Sequence, residues 1–327
     1  MVSKVYNNVF AMFIQKIYHG YLTSTLDDKG MFLSSLSGIK KIIILVLFVF
    51  GHFQGLKAQF VEFGFNLSGN TYQGDISPLT WRLSMQGANF AYGLNAGYHF
   101  NKYLSLKISY NRGSIEANDK YAVDKWRRDR NLNFRTDIRE WALTADVFFL
   151  EYLKFFRKYD LKPYLKTGVA LFSFNPQGLY KGKWYDLQPL GTEGQGLSGS
   201  DKQPYDLTQI AIPFGFGLCY DINRYIRVGF EISPRITFTD YLDDVSTEYP
   251  DFEKLLKERG QMAVNLSYKG DLLPGGIEPE EIINLGRGNS KDNDWYVFTS
   301  FTFSVLFDPV YENIKRKTFN GARKCTF

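Results

Sequence analysis

The sequence lacks any long hydrophobic run. Its longest one, Ile42–Phe50, is far shorter than the roughly 20 apolar residues that a membrane-spanning helix needs. The mean hydropathy of −0.25 is also too low for a protein built from several such helices. Together these features exclude a polytopic helical membrane protein.

Cysteine and histidine are scarce. The placement of Cys219 and Cys325 suggests no disulfide framework, and we expect two unrelated free thiols. After residue 58 the chain has a single histidine, His99, so a metal centre of His and Cys ligands cannot be assembled. A Ser–His–Asp site would have to use His99, which lies beside a tight turn and away from the long loops. The sequence therefore predicts no enzyme activity, metal or cofactor, and we interpret His99 as an interior structural residue.

Clustered positive charge is also missing from the body of the chain. The formal net charge is +5, but lysine and arginine are dispersed along the sequence. A nucleic-acid-binding protein concentrates them on one face or stripe. We therefore expect no nucleic-acid partner.

Aromatic residues and glycine are abundant, at 17% and 29 residues. That mixture is typical of all-β structure. Residues 31–58 have the pattern of a secretory signal peptide: Lys40 and Lys41, then the apolar run, then a small residue, Ala58. We expect cleavage there, with Gln59 as the mature terminus. Residues 1–30 precede this signal, and we interpret them as an over-extended start or a disordered segment.

Eight segments alternate apolar side chains with small or polar ones, as transmembrane strands do. They cover 59–68, 89–100, 103–114, 133–149, 162–174, 207–220, 224–237 and 295–307. The connections between them alternate between long and short, the pattern of short periplasmic turns and long external loops. The sequence thus predicts a closed antiparallel transmembrane β-barrel of about eight strands over residues 59–307. It leaves open whether the longest connection, 238–294, covers the barrel mouth.

The inward-facing positions of these strands carry charge. The predicted set is Glu62, Lys107, Glu140, Asp146, Lys166, Arg227 and Glu231. An eight-stranded barrel is only wide enough inside for side chains or one small ligand, and a lone buried charge is costly. We therefore expect an ion-pair network that plugs the lumen; the alternative is a proton or ion path.

Two loop segments allow more than one interpretation. The glycines of Leu187–Gly196 could cradle an anion, although a glycine-rich hairpin loop is the simpler interpretation. Asp240, Asp243 and Asp244 could bind calcium, but their spacing is not that of an EF-hand and favours a solvated acidic loop.

Two further segments are candidate contacts for a periplasmic partner. The turn after the fourth strand mixes aromatic and charged side chains: Glu151, Tyr152, Phe155, Phe156, Arg157 and Lys158. The tail, 308–327, contains Lys315, Arg316 and Lys317. It is either a disordered end or a basic arm for a partner or for anionic lipid.

Six segments carry a resemblance to a known family. They are Gly69–Asp75, Arg130–Phe134, Phe174–Pro176, Leu187–Gly196, Ile212–Gly215 and Arg235–Ser246. With them, the chain resembles the PorG-like family, small outer-membrane barrels tied to the type IX secretion system of Bacteroidota. The resemblance spans roughly residues 59–307. Its loop positions are Gly74, Asp75, Gly191, Glu193, Gly194, Asp240, Tyr241, Asp243 and Asp244.

The resemblance implies a non-enzymatic outer-membrane component that anchors or organises the secretion apparatus by contacting its periplasmic ring proteins. Outer-membrane lipids would be its other partners. The alternatives are a stand-alone barrel with surface loops for adhesion or envelope protection, and a barrel enzyme acting on lipid or peptide at the outer rim.

Overall fold

The computed structural model describes residues 60–77, 88–149, 161–274, 276, 281–283 and 285–307. All of them belong to one compact unit, Lys57–Phe327. Its strands are β1 (Phe60–Gln73), β2 (Asn89–His99), β3 (Leu104–Asn118), β4 (Asn133–Val147), β5 (Leu161–Tyr180), β6 (Lys183–Asp186), β7 (Thr208–Asp221), β8 (Ile226–Thr237) and β9 (Trp295–Phe307). Its helices are α1 (Lys125–Arg130), α2 (Phe252–Arg259) and α3 (Gln261–Ser267). No helix among the described residues is long and apolar enough to cross a membrane.

Eight of the strands close into a barrel. Going round, the order is β1, β2, β3, β4, β5, β7, β8 and β9, and β9 pairs again with β1; every neighbouring pair is antiparallel. The short β6 pairs only with the far end of β5 and lengthens that wall. The predicted eight-stranded closed antiparallel barrel is confirmed.

The outer wall of this barrel is apolar. Along β4, for example, Trp141 and Leu143 are more than half exposed, while their neighbours Ala142 and Thr144 are buried in the lumen. The outward set includes Phe63, Phe65, Leu94, Ile108, Leu165, Val169, Ile210, Phe214, Phe216, Phe301 and Phe303. A water-facing surface rarely carries so large an apolar area. An even strand number with an apolar outer band is the architecture of outer-membrane-type barrels, and the closed sheet leaves no unpaired edge in lipid.

The connections differ between the two ends. At one end, here the short-turn end, Asn101 accepts the backbone N–H groups of Tyr103 and Leu104 at 2.8 and 2.9 Å. Asn223 does the same for Tyr225 and Ile226. Asparagine favours such tight turns because its side chain bonds to backbone two or three residues on. The other end, here the long-loop end, has the connections after β1, β3, β6 and β8.

Several strands run further toward the long-loop end than predicted. β1 reaches Gln73, β3 reaches Asn118, and β5 continues to Tyr180 before turning through Lys181 and Gly182 into β6. The predicted fifth strand ended at residue 174, two residues before Pro176, which cannot donate to the ladder. In the structure Pro176 lies where β5 changes partner, after its last pair with β7 and before its first pair with β6.

The lipid-facing interpretation predicts a position-dependent cost for charge. We expect Leu143→Arg, at mid-height on β4, to lower the free energy of unfolding by about 2–4 kcal/mol. Ser114→Arg is the matched control, since Ser114 faces outward on β3 beyond the apolar band and lies opposite Asp137. Urea unfolding from phospholipid vesicles measures both; equal losses would contradict a lipid-facing belt.

Candidate functional site

The lumen contains a layer of paired charges, and Glu62 is its centre near the short-turn end. Its carboxylate lies 3.2 Å from Lys107 Nζ and 3.1 Å from Arg227 Nη1. The Ser304 hydroxyl donates to the same carboxylate at 2.8 Å, and His99 Nε2 lies 2.7 Å from it. Glu62 is only 1% exposed, so these neighbours replace the water that it loses.

The chain of contacts continues through Asp146. This carboxylate lies 3.1 Å from Lys107 Nζ and 4.0 Å from Lys166 Nζ. Lys166 in turn lies 2.6 Å from Glu231, which also accepts a hydrogen bond from the Tyr164 hydroxyl at 2.8 Å. Gly217 leaves the room for that ring, since a Cβ there would overlap it.

A third group lies toward the long-loop end. Arg235 Nε and Nη2 both lie 3.0 Å from the Glu140 carboxylate. Tyr296 and Asn111 donate to it at 2.8 and 2.9 Å. Arg235 was not in the predicted lumen set, although it lies four and eight residues from Glu231 and Arg227 on β8 and therefore faces the same side of the strand. With Arg235 the layer has four cations for Glu62, Glu140, Asp146 and Glu231, where the predicted set had three.

The residual space in the lumen is small. A cavity of about 30 Å³ lies among the charged and polar side chains. One water needs about 10–15 Å³ by this measure, so the cavity holds about two waters. All seven lumen residues singled out in the sequence lie in this layer, and the arrangement is that of a filled core.

His99 and Cys219 are structural members of the same lumen. His99 is buried at the short-turn end, and its ring stacks on Phe60 at 4.0 Å. Cys219 is a free, buried thiol beside Phe148 and Tyr164. Neither lies near the long loops.

Above the charged layer the lumen becomes apolar, and the 238–294 connection closes it. Leu242 and Val245 of this connection are fully buried among inward-facing barrel side chains such as Phe134, Phe172 and Tyr296. The Thr136 hydroxyl donates to the Leu242 carbonyl at 2.7 Å. The longest connection therefore covers the mouth and inserts into it.

The described long loops form a folded body, here called the cap, comprising residues 74–77, 119–132, 187–207 and 238–294 apart from 275, 277–280 and 284. It has its own apolar cluster, in which Phe252 and Leu255 of α2 pack with Tyr249 and Tyr268. The cap is joined to the barrel wall by Lys269, whose Nζ donates to the Leu179 carbonyl at 2.9 Å.

Glu193 holds two of the long loops together. Its carboxylate accepts backbone N–H groups of Ser246 and Thr247 at 2.8 and 3.0 Å and the Thr247 hydroxyl at 2.6 Å. Arg287 Nη1 lies 3.0 Å from it, and both side chains are 1% exposed. Gly191 and Gly194, at φ 60° and 84°, allow the tight path around this carboxylate. The loop thus contributes a carboxylate that accepts donors from the 238–294 connection, and no described contact in it resembles an anion cradle.

Tyr72 joins the top of β1 to the cap. Its hydroxyl lies 2.6 Å from Asp243 Oδ2 and 2.9 Å from Asp294 Oδ1. Asp243 also accepts the N–H groups of Ile76 and Val245, and a Cβ on Gly74 would overlap both Asp294 and the Tyr72 hydroxyl. Gly74 is thus a close-approach position.

The remaining loop positions of the resemblance lie in the same cap. Asp75 accepts the N–H of Asn289 at 2.8 Å, and its carbonyl accepts from Arg130 at 3.0 Å. Asp244, at φ 69°, accepts the Tyr205 hydroxyl at 2.7 Å. The Tyr241 ring stacks on that of Tyr205 with centroids 4.6 Å apart.

The acidic loop is buried instead of solvated. Burial and the neighbouring Asp243 raise the pKa of Asp240 to about 9, and burial with the charge of Asp75 raises that of Asp243 to about 8. Burial also raises the pKa of Asp244 to about 6, with Arg287 opposing the rise. Within the described residues no three His, Cys, Asp or Glu side chains are arranged to hold a metal ion. The calcium interpretation therefore has no support in the geometry.

Other predicted positions lie outside the described residues. These are the segment 1–58 with its predicted signal peptide and cleavage site, the contact residues Glu151, Tyr152, Phe155, Phe156, Arg157 and Lys158, and the tail with Lys315, Arg316 and Lys317.

The role of Glu193 can be tested by neutralising it. Glu193→Gln leaves Arg287 buried without its main partner, and we expect a loss of about 3 kcal/mol in the stability of the cap. Limited proteolysis should then cut within 187–207 or 238–274 while the barrel stays folded. Glu248→Gln, exposed on the same loop, is the control; equal resistance of all three proteins would contradict the assignment.

The buried acids predict that the cap weakens as pH rises. The folded state keeps a proton on Asp240 and Asp243 that the unfolded state releases above about pH 4, so stability falls from about pH 4 to about pH 8, where Asp243 also ionises in the folded state. Above that window Lys269, whose pKa burial lowers to about 8, acts in the opposite direction.

Asp240→Asn should flatten this dependence by up to about 1 kcal/mol per pH unit after allowance for solvent screening. No described donor is in hydrogen-bond geometry with its carboxylate, and the Ser246 hydroxyl offsets only part of the pKa rise. Urea midpoints across the window measure the effect, with the exposed Asp201→Asn as control. An unchanged slope in Asp240→Asn would contradict the prediction.

Comparison with known proteins gives similar folds at low identity. Neisserial surface protein A has a TM-score of 0.34 and 10% identity, covering 75% of this chain and 96% of that one. Ail, the attachment invasion locus protein of Yersinia pestis, has a TM-score of 0.36 and 8% identity, covering 77% and 100%. The outer membrane protein OprG from Pseudomonas aeruginosa has a TM-score of 0.31 and 10% identity, covering 76% and 96%. The barrel assignment rests on this chain's own strand pairing.

No curated protein is significantly similar to the chain in sequence. One family model does match it, that of a domain of unknown function, DUF6089, over residues 40–268. The match covers more than half of the chain and includes β1 to β8 with most of the cap. The chain therefore belongs to the DUF6089 family.

Proposed function

We propose that this protein is a non-conducting, non-enzymatic barrel of the outer membrane that serves as an anchor for other proteins. One observation carries the proposal: paired charges fill the lumen, and the cap closes its mouth. A filled barrel has no path for a solute, so its useful surfaces are its two ends and its lipid-facing wall. Export through the predicted signal peptide at 31–58 belongs to the same proposal.

The partner we propose is the periplasmic ring of a type IX secretion apparatus. The resemblance to the PorG-like family supports it. The alternation of long and short connections also supports it. Outer-membrane barrels have their short turns in the periplasm, where such a ring would lie. There we propose that Phe155, Phe156 and Arg157 of the segment after β4, together with the basic tail, supply the contacts.

A surface role is the second candidate, and the cap favours it. Near α1 the side chains of Tyr121, Val123 and Trp126 are 52%, 65% and 54% exposed. Exposed apolar groups of this kind at a folded loop end can contact another molecule. Adhesion or envelope protection would use this end of the barrel.

Site-specific photo-cross-linking in cells separates the two candidates. A photoreactive residue at 155 or 157 should capture ring proteins, and one at 121 or 126 should not. Position 225, on the exposed β7–β8 turn at the same end, is the matched control for proximity alone. Capture from 121 or 126 only, in cells with intact rings, would contradict the anchoring role and favour the surface role.

A further inference from the structure

Two arginines lie side by side on the outer wall of the barrel. Arg112 of β3 and Arg139 of β4 are directly opposite each other in the antiparallel register, and both side chains face outward and are exposed. At the next outward-facing position toward the short-turn end, Tyr110 and Trp141 are also opposite each other, and their ring centroids are 5.0 Å apart. The arginine pair therefore directly follows an aromatic pair along the same two strands.

These arginines have no protein partner among the described residues. Like charges directly opposite on adjacent strands are destabilising. The nearest outward carboxylate on β4, Asp137, is opposite Ser114, and it forms no ion pair with either arginine in the described structure. By contrast, Arg135 further along β4 donates to Gln177 and stacks on Trp184 at 4.4 Å. The positive charge of this arginine pair is therefore not neutralised by the described protein, and an anion from outside the protein would neutralise it.

Its height on the wall indicates which anion. Aromatic side chains in barrels mark the boundary between hydrocarbon and head groups. Along the outward face of β4, apolar Leu143 and the boundary residue Trp141 are followed, toward the long-loop end, by the charged Arg139 and Asp137. On β5 the outward face changes in the same way, from apolar Leu171 to polar Ser173. The arginines thus lie at the level of the lipid head groups at the long-loop end.

The neighbouring wall offers room for a head group. Beside Arg139 is an open groove of about 220 Å³ lined by Ser173, Asn175 and Gln177, with Asp137 on its border. The amide groups of Asn175 and Gln177 already donate to Asp186 at 2.9 and 2.7 Å, so the Ser173 hydroxyl is the group in this groove that suits the hydroxyl-rich part of a glycolipid or phospholipid head group. The Asp137 carboxylate disfavours a second anion there, so the geometry fits one phosphate at the arginines.

We propose that Arg112 and Arg139 bind the phosphate group of an outer-leaflet lipid, with the groove on β4 and β5 holding the rest of the head group. Guanidinium groups bind phosphate oxygens in a planar, two-pronged geometry, and two of them offset the charge of a phosphate. The bound phosphate relieves the repulsion between the two arginines and fixes the barrel's height in the membrane. The site rests on the proposed membrane location and is independent of the periplasmic partner.

The test is lipid retention. Refolded full-length protein is inserted into phosphatidylcholine vesicles containing a minor fraction of lipid A, extracted in mild detergent, and examined by native mass spectrometry. Arg112→Gln/Arg139→Gln is compared with Lys125→Gln/Arg128→Gln, which removes the same charge from exposed positions on α1. We expect the wild type and the α1 variant to retain one lipid A, and the strand variant to retain at least about tenfold less.

A second arm distinguishes the lipid from free phosphate and does not depend on any variant. Wild-type protein should not retain dephosphorylated lipid A, and excess inorganic phosphate should displace the phosphorylated lipid only weakly. Equal retention of the two lipids, or equal retention by the two double variants, would overturn the proposal. Complete displacement by inorganic phosphate would overturn the lipid assignment. Failure of the wild type to insert would instead contradict the membrane location.

Discussion

The neutralisation of buried charge is the constraint on which the rest of this structure depends. A barrel of eight strands has a narrow interior, and this one places Glu62, Asp146, Glu231 and Glu140 there at 6% exposure or less. Each has a cation from another strand within 4.0 Å. The pairs of Glu62, Glu231 and Glu140 join strands that are not neighbours in the barrel, namely β1 with β3, β8 with β5, and β4 with β8. These pairs therefore also constrain how distant strands are aligned. Removal of Arg235, for example, would leave Glu140 buried without its cation, a loss of about 3–5 kcal/mol.

Buried charges are also neutralised by ion pairs in the cap, which lies beyond the membrane-spanning part of the barrel. Glu193 and Arg287 are as deeply buried as the lumen pairs, and they join two connections that are almost a hundred residues apart in sequence. Tyr72 links this network to the barrel through Asp243 and Asp294. Between the cap network and the charged layer lies the apolar plug that Leu242 and Val245 complete. The lumen is thus closed by an ionic layer, an apolar layer and a polar cap in succession.

Much of the barrel could be predicted from the sequence, because the alternation of apolar and polar side chains along a strand is a local signal. The eight predicted strands are the eight that close the barrel, and of the described strands only the short β6 was not predicted. Strand ends were less predictable. Beyond the membrane the outward face of β3 and β5 turns polar, so the contrast between the two faces that marks a strand disappears there, as at Glu116 and Gln177.

The cap was not predictable in the same way. Gly191, Glu193 and Asp243 stood out as loop residues, but periodicity says nothing about which loops meet, and nothing local indicates that Glu193 accepts donors from residues 246 and 247. The acidic loop was interpreted as solvated because its spacing is not that of an EF-hand, but the tertiary structure buries it and supplies donors to Asp243 and Asp244. Arg235, in contrast, could have been predicted as a lumen residue, because the alternation along β8 places it on the same face as Arg227 and Glu231.

Single-channel recording in a planar lipid bilayer is the decisive test of whether the lumen is sealed. Folded, full-length protein is inserted, with insertion verified by protease protection of the membrane-embedded barrel. Because paired charges and the cap fill the lumen, we expect no steady conductance above that of the bare bilayer at any holding potential. A stable, reproducible open level from the wild-type protein would contradict the sealed lumen and with it the role of a non-conducting anchor.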